Sequence, residues 1–255
     1  MSSRNDNVNL SGKNAVITGG SRGIGRAIAL RFGEAGCNVM INYITNEEAA
    51  SEVLESLRYF NVEGISFKGD VSNPEIAKKM IDKAVEKFES IDILINNAGI
   101  WERGFIGEMD YNHWRRIIRT NLDSAFNCCN FAVPYMKRQR SGKIINISSR
   151  SARKGEEGSS AYVASKSGLI GFTRSIAMEV GKYNINVNCI APAWVESDMT
   201  KDYLHKENRE KEILKTIPLG RIAEPEDVAD VALFLASDLS NYLTGETIFL
   251  SGGAI

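Results

Sequence analysis

The sequence predicts an α/β fold, a single doubly wound domain in which helices cover both faces of a seven-stranded parallel sheet. Seven short apolar runs rich in β-branched residues recur along the 255 residues, and amphipathic stretches long enough for helices separate most of them. Because strands and helices alternate, the strands should run parallel. Near-continuous apolar strands indicate burial on both faces, and right-handed crossovers then place helices on each side of the sheet.

The individual elements follow from this pattern in chain order. Strands are expected at Ala15–Thr18, Val39–Asn42, Ile65–Phe67, Ile91–Ile95, Lys143–Ile147, Ile185–Ile190 and Thr247–Leu250. Helices are expected at Gly25–Ala35, Glu47–Phe60, Glu75–Glu89, Tyr111–Met136 and Tyr162–Lys182. The segment 193–218 interrupts the alternation with weaker helical patterning, and we interpret it as an inserted lid.

Length and charge narrow the classes of function. With 43% apolar residues, the chain can bury one large core, so residues 1–255 are expected to form one domain. The 31 basic and 32 acidic side chains are mixed along the chain, so there is no basic footprint for nucleic acid or an anionic membrane. A small-molecule partner is therefore expected.

Cysteine usage and hydropathy bear on the compartment. The four cysteines lack metal-ligand spacing, and His113 and His205 are isolated, so no metal site is predicted. The polar start of the chain, Met1–Leu10, lacks the apolar region of a signal peptide, and no run of about 18 apolar residues could span a bilayer. We therefore expect a cytoplasmic protein.

A glycine-rich turn follows the first predicted strand. In Thr18–Gly25 the glycines open a helix whose N-terminal amides and dipole can hold a pyrophosphate. Its spacing differs from the common G-x-G-x-x-G, and a tight connection without a ligand is the alternative.

Other unusual residues follow later strands, where the carboxyl ends of a doubly wound sheet bind ligands. They are Asp70-Val71, Asn96-Asn97-Ala98-Gly99, Ser148-Ser149 and Ala191-Pro192. Taken singly, Asp70 could cap a helix, and the asparagines and serines could satisfy turn amides. Their shared place on one rim favours a binding site.

Tyr162 and Lys166 are four residues apart on a predicted helix, so their side chains can meet. A nearby ammonium favours the phenolate and lowers the pKa of a tyrosine from about 10 towards neutrality. An ordinary exposed pair is the alternative from this pentapeptide alone.

Together these motifs resemble the short-chain dehydrogenase/reductase family from about Leu10 to Gly253, with a Rossmann-type fold. Ser149 precedes Tyr162 by thirteen positions, as the family pattern requires. The resemblance implies that Tyr162 is the general acid in carbonyl reduction, that Ser149 hydrogen-bonds the substrate oxygen, and that Asn121 anchors a water that returns the proton. Lys166 would lower the pKa of Tyr162 and hold the nicotinamide ribose. The implied cofactor-binding residues are Gly19, Ser21, Arg22, Gly23, Ile24, Gly25, Tyr43, Asp70, Val71, Asn97, Ala98, Gly99, Tyr162, Lys166, Pro192 and Val195.

The choice of cofactor follows from charge at the end of the second strand. An acidic residue there favours NAD and repels a 2′-phosphate. The segment Ile41–Ile44 has no carboxylate, and Arg22 can pair with phosphate, so NADP(H) is expected. No second basic residue is obvious near Tyr43, which leaves room for NAD(H).

Within the family, the motifs look most like those of the 3-oxoacyl-acyl-carrier-protein reductases. Arg140 falls where those reductases grip an acidic carrier protein, whereas Tyr183 replaces a position that is usually basic. Pro192-Ala193 and the following Trp194 depart from the usual Pro-Gly and could narrow the pocket.

The catalytic motifs leave three readings open. The first is reduction of an acyl thioester; sugar, polyol and gluconate dehydrogenases share the same catalytic residues and are the second. A non-catalytic NADP(H)-binding sensor is the third. The resemblance also implies a homotetramer formed through the two long predicted helices.

Overall fold

The computed structural model describes residues 8–254, so the expectation for Met1–Leu10 falls mostly outside the described residues. Seven strands occur there: β1 (Asn14–Ile17), β2 (Asn38–Tyr43), β3 (Gly64–Lys68), β4 (Ile93–Asn96), β5 (Gly142–Ile147), β6 (Ile185–Pro192) and β7 (Thr247–Leu250). The α-helices are α1 (Gly23–Glu34), α2 (Glu47–Tyr59), α3 (Pro74–Phe88), α4 (Tyr111–Ile118), α5 (Ser124–Gln139), α6 (Ser151–Lys154), α7 (Ser160–Val180), α8 (Lys201–Leu204), α9 (Arg209–Leu214) and α10 (Pro225–Ala236).

The strands form one sheet in the order β3-β2-β1-β4-β5-β6-β7, and every pair is parallel. The direction of the strand order reverses between β1 and β4. In a sheet of this kind a crevice opens at that point, beyond the carboxyl ends of the strands. The predicted seven-stranded, doubly wound α/β fold is confirmed.

Helices bury apolar side chains on both faces of the sheet. On one face α1, α2 and α10 contribute fully buried residues such as Phe32 and Val53. On the other face α3, α5 and α7 contribute Met80, Met136 and Val180, respectively. Each such side chain stabilises the fold by about 1.5–3 kcal/mol relative to exposure. No helix in residues 8–254 combines the length and apolar character needed to cross a membrane.

The helix expected at Tyr111–Met136 is interrupted. A π-helical turn at Arg119–Asp123 separates α4 from α5, and α5 continues through Pro134 to Gln139. Such turns insert one residue into an α-helix and occur often at functional sites. The apolar periodicity of the sequence does not report a single inserted residue, which is why the prediction missed it.

Helix α10 was not among the expected helices, although its start carries a clear signal. Pro225 stands in the first turn, and Glu224 and Asp227 form a reciprocal capping box. The Glu224 backbone N–H donates to the Asp227 carboxylate at 2.8 Å. Proline at the first helical position and an acidic residue three positions after the cap both favour a helix start.

The segment expected to be a lid, 193–218, contains the two short helices α8 and α9. Leu204 of α8, Ile213 of α9 and Ile217, which follows α9, are buried in a small apolar cluster separate from the two main cores. Weak helical patterning therefore corresponds to short helices that pack on their own cluster beside the sheet.

Glycines allow α1 to begin directly against the turn after β1. A Cβ atom at Gly25 would lie 2.2 Å from the carbonyl oxygen of Gly19 and 2.6 Å from Asn97 Nδ2. Gly19 and Gly23 have φ values of 63° and 53°, which favour glycine. A side chain at Gly25 would clash with the turn, and a side chain at Gly19 or Gly23 would strain the backbone.

Replacing Gly25 by alanine should therefore lower the free energy of unfolding by about 3 kcal/mol, because the new methyl group meets backbone that cannot move freely. Chemical denaturation measures this change. The matched control is Gly181→Ala, since no atom lies within 4 Å of the added Cβ there. An effect of equal size in both variants would contradict the packing argument.

Candidate active site

Two cavities open along the carboxyl edge of the sheet. The first, about 470 Å³, lies over the switch point between β1 and β4; we call it the cofactor cleft. The second, about 400 Å³, lies beyond β5 and β6 and is lined on one side by residues of the segment 193–218, which we interpret as a lid; we call it the substrate cavity. Trp101 and Met199 line both, so the two cavities are neighbours.

Most residues that the resemblance assigns to cofactor binding line the cofactor cleft. They are Gly19, Ser21, Arg22, Gly23, Ile24, Tyr43, Asp70, Val71, Asn97, Ala98 and Gly99. Five others lie elsewhere. Gly25 packs beneath the glycine turn, Tyr162 lines the substrate cavity, and Lys166 is buried. Pro192 and Val195 line neither cavity; Val195 is buried in the core.

The glycine turn is held to the end of β4 by side chains. Thr18 Oγ1 accepts hydrogen bonds from the backbone N–H groups of Asn97 and Ala98, each at 3.0 Å. Asn97 Nδ2 donates to the carbonyl oxygens of Thr18 and Gly19 at 2.9 and 3.0 Å. Asn97 therefore shapes the cleft by fixing the turn. The sequence did not single out Thr18, whose role depends on contact with a segment 79 positions away.

Asp70 shapes a second part of the cleft wall. One carboxylate oxygen accepts from the Ser72 backbone N–H at 2.9 Å. Helix α3 is capped instead by Asn73, whose side chain accepts from Glu75 N. The alternative that Asp70 caps this helix is therefore wrong, and Asp70 faces the cleft from a turn.

The far end of the cofactor cleft, after β2, has no acidic side chain. The cleft residues after β2 are Ile44, Thr45 and Asn46, none of which carries a carboxylate. Arg22 is exposed, and its Nη1 lies 3.9 Å from the Asp198 carboxylate of the lid segment. At this separation and exposure the pair contributes little to stability, so the guanidinium is available to an anionic ligand.

The start of α1 offers uncapped backbone donors to the cleft. The N-cap residue, Arg22, makes no side-chain cap hydrogen bond. The first N–H groups of a helix lack intrahelical partners, and with the helix dipole they favour an anion. Together with the missing side chain at Gly19, this end of the cleft fits the pyrophosphate of a dinucleotide.

Ser149 and Tyr162 meet in the wall of the substrate cavity. Ser149 follows β5, and Tyr162 stands in the first turn of α7. Burial raises the pKa of Tyr162 to about 12; the Ser149 hydroxyl lowers it, and the charge of Glu156 raises it. Tyr162 therefore carries its proton throughout the neutral range.

Lys166 lies beneath Tyr162. Its Nζ donates to the carbonyl oxygen of Ile147 at 2.8 Å and lies 5.8 Å from the centroid of the Tyr162 ring. Burial lowers the pKa of Lys166 to about 8. The resemblance implied that Lys166 brings the pKa of Tyr162 below its ordinary value. In this structure burial raises that pKa, and the lowering influence on it comes from the Ser149 hydroxyl.

Asn121 lies in the π-helical turn and is buried. Its Oδ1 accepts from Ile100 N at 2.8 Å, while Nδ2 donates to Ile100 O and to Ser165 Oγ, both at 3.0 Å. Both amide protons are thus used by protein atoms. The side chain joins the segment after β4 to α7, and its role in anchoring a water stays a prediction.

Three aromatic rings pack together at the substrate cavity, and two of them, Trp101 and Trp194, line it. Trp194 stacks on Tyr203 with centroids 5.3 Å apart, and Trp101 meets both rings edge-on. Trp101 Nε1 donates to Ser159 Oγ at 3.1 Å, which fixes the indole. The cavity also contains Arg150, directly after Ser149. Sequence reasoning named neither Tyr203 nor Arg150. No local pattern shows that Tyr203 packs against Trp101, about a hundred positions away, and Arg150 reads as an ordinary residue after a strand.

The chain is similar to known proteins over nearly its whole length. A family model described as Enoyl-(Acyl carrier protein) reductase matches residues 19–254. The 3-oxoacyl-(acyl-carrier-protein) reductase FabG of Staphylococcus aureus is 44% identical over 241 residues, which cover 94% of this chain and 97% of the relative. FabG of Chlamydia pneumoniae is 44% identical over 246 residues, 96% of this chain and 98% of the relative.

A solved structure agrees with these matches. A protein from Sinorhizobium meliloti 1021, assigned to the short-chain alcohol dehydrogenases, superposes with a TM-score of 0.93 and is 35% identical. The match covers 96% of this chain and 97% of that one. This chain therefore belongs to the short-chain dehydrogenase/reductase family and is an oxidoreductase that uses a nicotinamide cofactor.

Proposed function

We propose that the protein reduces a 3-oxoacyl thioester, linked to acyl carrier protein, to the 3-hydroxyacyl product with NADPH. The observation that carries the reaction type is the position of Ser149 and Tyr162 in the substrate cavity, which adjoins the cofactor cleft. The substrate is supported by the 44% identity to two FabG reductases.

In this proposal Tyr162 donates the proton to the carbonyl oxygen, and its raised pKa keeps that proton available at neutral pH. The Ser149 hydroxyl hydrogen-bonds the same oxygen as charge develops on it. The bound cofactor supplies the hydride. Lys166 Nζ and Asn121 Oδ1 each lie 3.3 Å from the place of a Cβ at Gly99, which supports a role for the lysine in holding the ribose at the cleft floor.

A basic cluster supports an acidic carrier protein as partner. Lys137, Arg140 and Lys182 each place their charge within 6.0 Å of the Tyr183 ring centroid. Tyr183, the position that counted against carrier binding, is thus surrounded by cations. The cluster lies at the amino end of β5 and Ser149 beyond its carboxyl end, so the length of the strand, about 20 Å, separates them. A docked carrier must therefore reach round the sheet or serve a neighbouring copy.

A second substrate class has its own support in Arg150. Burial lowers the pKa of this half-buried guanidinium, and among the described residues no acidic side chain lies within salt-bridge distance. A cation beside Ser149 suits a carboxylate or several hydroxyl groups. Sugar, polyol and gluconate dehydrogenation is therefore the alternative reading.

Assembly and compartment are also proposed. Phe126 on α5 and Met178 on α7 are exposed, which supports a homotetramer formed through these helices; a monomer mass in solution would contradict it. The four cysteines are free and buried, which fits a reducing cytoplasm.

Tyr162→Phe should reduce turnover at least about a hundredfold while NADPH still binds, because only the transferred proton is lost. The assay follows NADPH and NADH oxidation with acetoacetyl thioesters, free and on carrier protein, beside keto-sugars and keto-acids. Tyr242→Phe, an exposed tyrosine, is the control. Unchanged turnover in Tyr162→Phe would remove the proposed acid. Wild-type reaction with a keto-sugar but no thioester would select the alternative, and no wild-type turnover at all would favour a sensor.

Arg22→Ala should raise the KM for NADPH about tenfold or more and change that for NADH little, because a charge-assisted contact to the 2′-phosphate is lost. Steady-state kinetics with both cofactors give the two values. Arg26→Ala, one turn further along α1 and outside the cleft lining, is the control. Equal changes for both cofactors would argue against NADP preference through Arg22.

Arg140→Glu should raise the KM for a carrier-linked substrate about five- to tenfold and leave that for a small thioester unchanged. Lys79→Glu makes the same charge change on the exposed face of α3. If both variants weaken the carrier-linked reaction equally, the effect is one of overall charge, and the basic cluster is not the docking site.

A further inference from the structure

Trp194 separates the substrate cavity from a smaller neighbouring cavity. The smaller cavity has a volume of about 80 Å³, and Ile217, Leu219 and Leu250 contribute apolar side chains to its lining; we call it the side cavity. Ala193 and Trp194 line both cavities. Because alanine carries a single methyl group, the indole of Trp194 forms most of the partition between them.

The backbone of this partition is held on both sides. The Ala193 N–H donates to the carbonyl oxygen of Leu250, at the end of β7, at 2.8 Å. The Trp194 carbonyl oxygen accepts from the Ala223 N–H at 3.1 Å. These bonds tie the start of the lid segment to two distant parts of the chain, so the indole stands on a fixed base.

The Trp194 indole is also held by its neighbours. The Tyr203 ring lies nearly parallel to it, with 14° between the two planes. Arg209 donates to the Tyr203 hydroxyl, and its guanidinium lies 4.8 Å from the centroid of that ring. Trp101 meets the indole edge-on, and the Trp101 N–H donates to Ser159. A ligand that displaced the indole would break these aromatic contacts.

The partition lies close to the reacting groups. The Arg150 N–H donates to the carbonyl oxygen of Pro192 at 2.8 Å, which places Ser149 beside the end of β6. Trp194 follows Pro192 by two residues, about 7 Å along an extended chain. A tail that runs from a carbonyl at Ser149 towards the lid segment therefore meets the indole after a few carbon atoms.

The lining of the substrate cavity favours this direction for an apolar tail. The segment 150–157 contributes four charged side chains, those of Arg150, Lys154, Glu156 and Glu157. The large apolar side chains come from the other side, from Trp101, Trp194, Met199 and Ile213. Burial against apolar groups is favourable, whereas removing water from charged groups costs free energy. An acyl tail should therefore lie against the lid segment, with the thioester towards the charged segment.

We propose that Trp194 is a specificity-determining residue that limits the length of the apolar tail of the substrate. A short tail ends at the indole, and a longer one would need the side cavity on the far side of it. The proposal deepens the proposed function and rests on it in one respect, that the substrate is a 3-oxoacyl thioester. It restricts that substrate to short acyl chains.

The test compares kcat/KM with NADPH for N-acetylcysteamine thioesters from 3-oxobutanoyl to 3-oxodecanoyl. In the wild type the value should fall about tenfold or more between the hexanoyl and decanoyl members, since the longer tail does not fit. Trp194→Ala should join the two cavities and raise the ratio of decanoyl to butanoyl values about tenfold or more. Loss of the catalytic geometry would lower all members of the series together and leave this ratio unchanged.

Two further variants separate the partition from general loosening of the lid segment. Leu204→Ala removes a large side chain from the same apolar cluster but lines neither cavity, so it should keep the wild-type ratio. Trp194→Leu leaves more apolar bulk in the cluster and should give an intermediate ratio, with circular dichroism confirming the folded state. The proposal is overturned if both Trp194 variants keep the ratio within about twofold of wild type, or if Leu204→Ala changes it equally. Equal wild-type values along the whole series would overturn it as well.

A binding measurement keeps this inference separate from the proposed function. Straight-chain methyl ketones of increasing length are titrated calorimetrically into the NADP+ complex, in which no reduction can occur. In the wild type each methylene should tighten binding about fourfold only until the tail reaches the indole, whereas in Trp194→Ala the gain should continue. An uninterrupted gain in the wild type, or the same end point in Trp194→Ala, would overturn the proposal. Absence of turnover with every thioester, beside the expected binding profiles, would remove the proposed function and leave the partition in place.

Discussion

Parallel pairing of β1 with β4 is the constraint on which the site depends. The register sets Ala15 beside Ile93 and Ile17 beside Ile95, so the two strands end at the same level of the sheet. Thr18 and Asn97 then stand side by side and fix the glycine turn through their hydrogen bonds. Without this register the glycine turn after β1 and the residues after β4 would no longer line one cleft. The two apolar layers stabilise this pairing, because β1 and β4 are buried on both faces.

The sequence predicted the architecture because its signals are local. Apolar runs, amphipathic helices and a glycine turn are visible in short windows, and their alternation leaves few topologies. The residues after each strand were expected on one rim, and Asp70, Asn97 and Gly99 do line one cleft. The missed helix α10 also had a local signal in Glu224 and Asp227. The sequence therefore contained the signal for α10, and our prediction did not use it.

The remaining differences come from contacts between distant segments. In the π-helical turn, the Asn121 side chain is hydrogen-bonded to Ile100 and Ser165, 21 and 44 positions away. The aromatic packing joins Trp101 to Trp194 and Tyr203 across about a hundred positions. The pKa of Tyr162 depends on how much water its ring loses on folding, which no spacing of Tyr162 and Lys166 can reveal. The burial and the neighbours of a group in the folded protein determine the direction and size of its pKa shift.

The shared wall between the two cavities has a thermodynamic consequence. Trp101 and Met199 border both, and Trp101 is packed against the lid residues Trp194 and Tyr203. A ligand that displaces the indole from one side changes the surface offered to a ligand on the other. The two binding equilibria are then linked, and the linkage free energy is the same whichever ligand enters first. The size of this linkage would depend on how far a ligand moves the indole against its hydrogen bond to Ser159.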